Sequence, residues 1–139
     1  MIWLQQTVTI ETSGKSLVDV TARVAEVVRR GGVEVGLCHL FVQHTSASLV
    51  IQENADPDVL SDLLDWFGRA AQDGDPRHRH VDEGPDDMSA HIRSAITATS
   101  TTIPIEGGRL ALGTWQAVYL FEHRSAPRSR RIVVTVQGR

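Results

Sequence analysis

Apolar residues recur along the chain with two periods, and the switches between them divide it into strands and helices. At residues 2–10, IWLQQTVTI, Leu4, Gln6, Val8 and Ile10 alternate with Trp3, Gln5, Thr7 and Thr9, which predicts an opening strand with one face buried. Gly14 punctuates it. Ser16 is placed to cap a helix running to roughly Arg30, with Leu17, Val20, Val24, Val27 and Val28 as its apolar stripe and Gly31-Gly32 as its stop. Residues 33–44, VEVGLCHLFVQH, read as a largely buried strand. Strand parity puts Cys38, Leu40, Val42 and His44 on one face and Leu37, His39, Phe41 and Gln43 on the other. His39, inside the apolar run, reads as a satisfied core or interface histidine.

Leu49-Val50-Ile51 suggests a short strand. Asp56-Pro57 starts a helix, Asp as N-cap and Pro at the first helical position, with Val59, Leu60, Leu63, Leu64 and Phe67 as the buried face and Gly68 or Gly74 at its end. Residues 72–85 are too polar for core, and so long a loop in a compact domain is mobile or functional. Gly84-Pro85 turns the chain into a helix of about 86–98 capped by Asp86 or Asp87, with Met88, Ile92, Ala95 and Ile96 at helical spacing. Strands are expected at 99–106 and 109–112 around a Gly107-Gly108 hairpin, then at 115–123, and finally at 131–137 after a turn at 125–129. Strands in hairpin order with about three helices define an α+β fold, a β-rich single domain of mostly antiparallel or mixed sheet spanning 1–139.

The 139 residues fit one domain, and 14 basic against 17 acidic side chains argue against nucleic-acid binding driven by overall charge. Cys38, the single cysteine, excludes an internal disulfide and a zinc ribbon. No basic segment followed by an apolar core opens the chain, and no apolar run nears the roughly 18 residues that span a bilayer. A soluble, cytoplasmic protein without a membrane partner is expected.

The chemistry concentrates in HVDEGPDDMSAH, residues 80–91, which holds two histidines and four carboxylates in twelve residues. On a helix, Asp87 and His91 lie four apart on one face, and a carboxylate beside an imidazole fixes the ring for ligation or proton transfer. A solvated acidic loop with a surface histidine accounts for the same residues. His44, His80, His91 and His123 all fall at element ends or in loops, and three imidazoles around a divalent ion leave an open position for catalysis. Glu53, Asp56, Glu83 and Asp87 are available as supporting carboxylates or a general base. Arg93, Arg124, Arg128, Arg130 and Arg131 suggest a phosphorylated ligand, or else a solvated basic turn. The hydroxyls of HTSAS, 44–48, serve a turn or an oxyanion. GTWQ, 113–116, serves a strand bend or a substrate wall.

Taken together, HTSASL with EN-x-D-P (44–49, 53–57), H-x-x-EG-x-DDM-x-x-HI-x-S (80–94), G-R-x-x-x-GTWQ (108–116), EHR (122–124) and SRRI-x-x-T-x-QG (129–138) resemble the YjbQ-like family, ascribed secondary thiamine-phosphate synthase activity. The likeness runs from about 3 to 138. Ser89 stands where that family commonly has Pro, Ala117 where Gly follows GTWQ, and His78 where Tyr is frequent. The resemblance implies a homotrimer and a divalent metal, zinc foremost with magnesium as an alternative for activity, on His44, His80 and His91 beside an anion site. It implies that hydroxymethylpyrimidine pyrophosphate is joined to thiazole phosphate with release of pyrophosphate. Under that reading Arg93, Arg124, Arg131 and Ser46 hold phosphate groups, and Glu53 or Asp87 orients the reactants. Two rivals use the same residues: a zinc-dependent hydrolase of a phosphorylated small molecule with Glu53, Glu83 or Asp87 as base, and a non-catalytic ligand-binding trimer.

Overall fold

The structure is a computed structural model that describes all residues, Met1–Arg139. Its elements are β1 (Ile2–Thr12), β2 (Ser16–Asp19), α1 (Thr21–Gly31), β3 (Val35–Val42), β4 (Ala47–Glu53), α2 (Pro57–Ala70), α3 (Asp87–Ile96), β5 (Ser100–Glu106), β6 (Arg109–Leu110), β7 (Gln116–Glu122) and β8 (Arg128–Gly138). The fold is α+β with three helices, and every strand pair is antiparallel. A five-stranded sheet runs β1-β8-β3-β5-β6, and a three-stranded sheet runs β2-β7-β4.

Period-two patterning builds the larger sheet. Val8 and Ile10 of β1, Cys38, Leu40 and Val42 of β3, and Ile132, Val134 and Val136 of β8 point inward. They meet Val24, Val27 and Val28 of α1 and Val118 and Leu120 of β7 in one core. The chain's two ends lie side by side, since β1 pairs with β8 from Ile2↔Gly138 to Thr12↔Arg128. Gly107 (φ 58°) and Gly108 (φ 75°) supply the left-handed backbone that the expected hairpin between β5 and β6 needs.

Three expectations are corrected. Ser16 does not cap a helix: residues 16–19 form β2, registered from Ser16↔Glu122 to Asp19↔Tyr119. Leu17 therefore belongs to a sheet, and the helix starts at Thr21, whose N–H is taken by the Asp19 carboxylate at 2.9 Å. His39 is not a core histidine: it is exposed on the outer face of β3, beside Leu37 and Phe41, because one chain covers only the inner face of that sheet, and of the two expected roles only that of an interface residue remains. The apolar side of α2 is half-buried, with no residue of the helix fully covered. Its start is as expected, Pro57 opening the helix and Asp56 accepting from the Asp58 N–H at 2.9 Å.

Candidate metal centre

The 71–86 loop carries no regular structure, and two aspartates fasten it. Asp73 takes a hydrogen bond from Ser89 Oγ at 2.5 Å and pairs with Lys15 and, at 3.2 Å, with Arg93. Asp86 is the residue before α3, but its carboxylate does not cap the helix. It accepts from the Ser125 N–H at 2.8 Å and from Arg124 Nε at 3.1 Å. Burial opposes its ionisation, yet those donors hold it at about 2. The loop end and the first turn of α3 are thereby clamped to the chain just after β7.

This clamp brings His80 from the loop against Asp87 and His91 on α3. Oδ2 of Asp87 lies 2.7 Å from Nε2 of His80 and 3.0 Å from Nε2 of His91. Oδ1 of the same carboxylate accepts from Arg124 Nη1 at 2.7 Å. Burial pushes the Asp87 carboxyl up, but the His80 bond, the neighbouring His91 and the Arg124 charge outweigh it and hold it below its usual value. One ligand atom each from His80, Asp87 and His91 lies within 4.8 Å of the others.

The donor set suits a divalent cation. Nδ1 of His91 lies 3.1 Å from the Thr45 carbonyl, which can only accept, so that nitrogen carries a proton and Nε2 is the one turned to the cluster. Arg124 holds one Asp87 oxygen and leaves the other facing the two rings. His80 is the most exposed of the three, so the cluster opens to solvent.

His44 stands apart from this group. Its Nε2 accepts the Arg131 N–H at 2.9 Å, so within one chain that lone pair is already used. The 44–46 segment reaches the cluster through the Thr45 carbonyl instead. The third ligand atom gathered with His80 and His91 is the carboxylate of Asp87.

The residues expected on phosphate divide. Arg124 is committed to Asp86, Asp87 and the Glu83 carbonyl. Arg93, 3% exposed, closes the C-terminal end of α2 through the Phe67 and Ala71 carbonyls at 3.4 and 2.5 Å. Both are structural cations here. Arg131 is exposed, and Ser46 is buried and taken by Arg130 Nη2 at 3.0 Å. Glu53 lies at the opposite end of β4 from Ala47, six residues or about 20 Å along a strand. His123 is buried, 2.8 Å from Ser48 Oγ, and burial followed by the Arg93 charge pushes its pKa down to about 3.

Sequence reading counted Arg130 only among the arginines of a phosphate site or basic turn and gave Glu122 no role of its own, whereas the two form a buried pair. Glu122 is fully buried, and Arg130, 4% exposed, binds it through Nε at 2.7 Å and Nη2 at 2.5 Å. Parity held the signal: Arg130 shares the inward face of Ile132, Val134 and Val136, while Arg131 points out.

An antiparallel α+β domain with an imidazole–carboxylate cluster on a helix start is the class of protein that fold and site define. The family model described as "UPF0047 protein YjbQ-like" matches residues 6–139, and the chain belongs to that family. A UPF0047 protein of Synechocystis is 54% identical over 134 residues, covering 96% of this chain and 91% of its own length. YjbQ of Escherichia coli O157:H7 is 41% identical over 138 residues, 99% of each chain. Among solved structures, a YjbQ/UPF0047 protein of Clostridium acetobutylicum superposes with a TM-score of 0.87 at 35% identity, covering 95% of this chain and 99% of that one. A conserved hypothetical protein of Thermus thermophilus, TT1486, gives 0.85 at 35% identity over the same shares.

Proposed function

We propose that this protein is a metal-dependent enzyme acting on a small phosphorylated molecule at His80, Asp87 and His91. The observation that carries the reading is the convergence of two imidazole nitrogens and a carboxylate oxygen within 4.8 Å, with His91 and Asp87 each oriented by a protein partner. A divalent ion held there, zinc in preference to magnesium because two of the donors are imidazoles, supplies Lewis acidity toward a phosphoryl oxygen. The chain's own residues do the positioning. Thr45 fixes the His91 ring, Arg124 fixes Asp87, and the exposed edge of His80 faces arriving substrate.

The phosphorylated class of substrate comes from the family resemblance. So does the particular reaction it implies, the joining of hydroxymethylpyrimidine pyrophosphate to thiazole phosphate. Hydrolysis of a phosphorylated small molecule is the second reading, and a specific observation favours it. Arg93 and Arg124 are engaged within the protein, so few arginines remain to hold a departing pyrophosphate. With this reading go a homotrimer and a cytoplasmic location. The exposed apolar residues Trp3, Leu37 and Phe41 on the larger sheet support the first. No helix is long and apolar enough to cross a membrane.

The test is a metal titration followed by a paired assay. Wild-type protein is expected to retain one equivalent of zinc by elemental analysis, and His91→Ala to lose it. Thiamine phosphate formed only when both substrates are present identifies the joining reaction. Phosphate released without the thiazole partner identifies the hydrolase. Equal zinc content and unchanged behaviour in His91→Ala would sink both enzymes and leave the ligand-binding trimer.

A further inference from the structure

Nδ1 of His123 is buried and has no hydrogen-bond partner. The ring is fully covered, and burial keeps it neutral down to about 3, so at neutral pH it holds one N–H and one lone pair. Its Nε2 lies 2.8 Å from Ser48 Oγ, which is joined to Thr97 Oγ1 at 2.6 Å and through it to the Arg93 carbonyl at 2.8 Å. Each hydroxyl carries a single proton, so this chain of bonds can run in either direction. Where Ser48 donates to Nε2, Nδ1 keeps an N–H. Where Nε2 donates to Ser48, Nδ1 keeps a lone pair. Either way one polar function of a buried ring goes unanswered, which native interiors rarely tolerate.

His123 lines a hollow of about 170 Å³ beside α2. Ser48, the partner of Nε2, is not part of that lining, which leaves Nδ1 as the nitrogen available to an occupant. Leu64, Phe67 and Gly68, at i, i+3 and i+4, bring one face of α2 to the hollow, and Phe121 meets Phe67 edge to face at 5.2 Å between ring centres. Gly68 stands where that face would carry a side chain, and nothing lies within 4 Å of where its Cβ would be. Glycine inside a helix is unfavourable, and here it keeps the space open. The charged groups at the hollow are already matched. Lys15 and Arg93 both pair with Asp73, Arg93 also binds the Phe67 and Ala71 carbonyls, and Glu122 is held by Arg130 and Thr12. No residue of α2 is fully covered, so this helix is the wall that yields when a molecule enters.

Volume, walls and the single open polar function define the occupant. A cavity of about 150 Å³ lined by Leu, Ile and Phe is enough to hold benzene. Aromatic walls favour a ring, and matched charges favour a neutral one. A hydroxyl, donor and acceptor at once, answers Nδ1 in either tautomer. We propose that the hollow beside α2 is a binding site for a small, neutral, hydroxylated aromatic molecule, whose ring packs on Leu64, Phe67 and Phe121 and whose hydroxyl meets Nδ1 of His123. The site shares no residue with the His80–Asp87–His91 cluster and needs no metal. Arg93, on the helix that carries Asp87 and His91, joins the two regions.

The test titrates full-length protein, as isolated, with phenol, toluene and benzoate, followed by calorimetry and by the side-chain ¹⁵N resonances of the histidines. Replacing His123 would disturb the core, so its hydrogen bond is tested from the ligand side. Phenol is expected to bind saturably at one site and to move the His123 Nδ1 resonance more than any other imidazole nitrogen. Toluene has the same shape without the hydroxyl and should bind about five- to tenfold more weakly, the worth of one hydrogen bond. Benzoate, which must give up its hydration without a free cation to meet, should bind more weakly than phenol. Gly68→Leu puts a side chain into the hollow and should abolish phenol binding while circular dichroism and urea unfolding remain those of a folded protein. A chelator should leave phenol affinity unchanged. Absence of saturable phenol binding overturns the proposal, as do equal affinities for phenol and toluene, an unmoved His123 resonance, or benzoate as the tighter ligand. Phenol binding that survives in folded Gly68→Leu overturns it by placing the ligand elsewhere. Binding that vanishes with the chelator overturns it by placing phenol on the metal, and leaves the metal reading standing.

Discussion

His123 shows how one buried ring can govern the response to acid. The native ring resists protonation down to about 3, whereas the unfolded chain takes that proton at the ordinary value of 6.5. A base whose folded pKa is depressed contributes stability that is complete above the unfolded value and is lost as pH falls. Unfolding free energy should therefore drop by about 1.4 kcal/mol per pH unit as pH falls from near 6.5 toward 3. Urea unfolding at pH 7, 6, 5 and 4 measures it, and His123→Gln should flatten the slope by one proton. At the candidate metal centre the matching residue is Arg124, whose guanidinium holds Asp87. Arg124→Gln should lower zinc affinity about 10–100-fold in a chelator competition, the usual cost of losing a ligand's outer partner. Thermal unfolding run in parallel separates that effect from a loss of fold. At this scale the sequence was informative where spacing was local: Asp87 and His91 lie one turn apart on any helix. It named His44 as a ligand without its partner, because which ring nitrogen meets which backbone N–H depends on how β8 crosses the end of β3, across 87 residues.

Between elements, two glycines decide opposite outcomes for the same substitution. Gly36 of β3 sits across from Gly138 of β8, and a Cβ on Gly36 would lie 2.0 Å from the Gln137 carbonyl oxygen. Backbone cannot yield as a flexible side chain does, so Gly36→Ala should cost about 2–3 kcal/mol in urea unfolding. Gly68 of α2 has nothing within 4 Å of its would-be Cβ and a helical backbone, so Gly68→Ala should stabilise by about 0.5–1 kcal/mol. Strands with clean alternation, β1 and β8 above all, were readable because their period matches one buried face. Residues 16–19 were misread as helix because Leu17 and Val20 keep a helical interval with Val24. What makes them strand is pairing with β7, from Ser16↔Glu122 to Asp19↔Tyr119, which no local pattern contains. The half-buried flank of α2 escaped for a related reason: an apolar stripe says that a helix wants covering, not how much cover one chain provides.

For the whole molecule the unanswered surface is the outer face of the larger sheet. Trp3, Val35, Leu37 and Phe41 are 66, 52, 42 and 44% exposed there, on β1 and β3, which flank β8. Parity assigned Leu37, His39 and Phe41 to a common face, and the fold leaves that face without a layer. Aromatic and aliphatic side chains gathered on a flat sheet are what a subunit contact is made from. A homotrimer closing on this face would have three times the 15.3 kDa of the chain, about 46 kDa. Leu37→Glu places a charge in the middle of the patch while leaving the inward residues Cys38 and Leu40 untouched. Sedimentation equilibrium should give the trimer mass for wild type and the single-chain mass for Leu37→Glu. Trp3 fluorescence should shift to longer wavelength in the variant as the indole returns to water. A wild type that sediments as a single chain would remove the trimer. A Leu37→Glu variant that stays trimeric would move the contact to another face, and the zinc titration, read on each species, would show whether the candidate metal centre needs a neighbouring subunit.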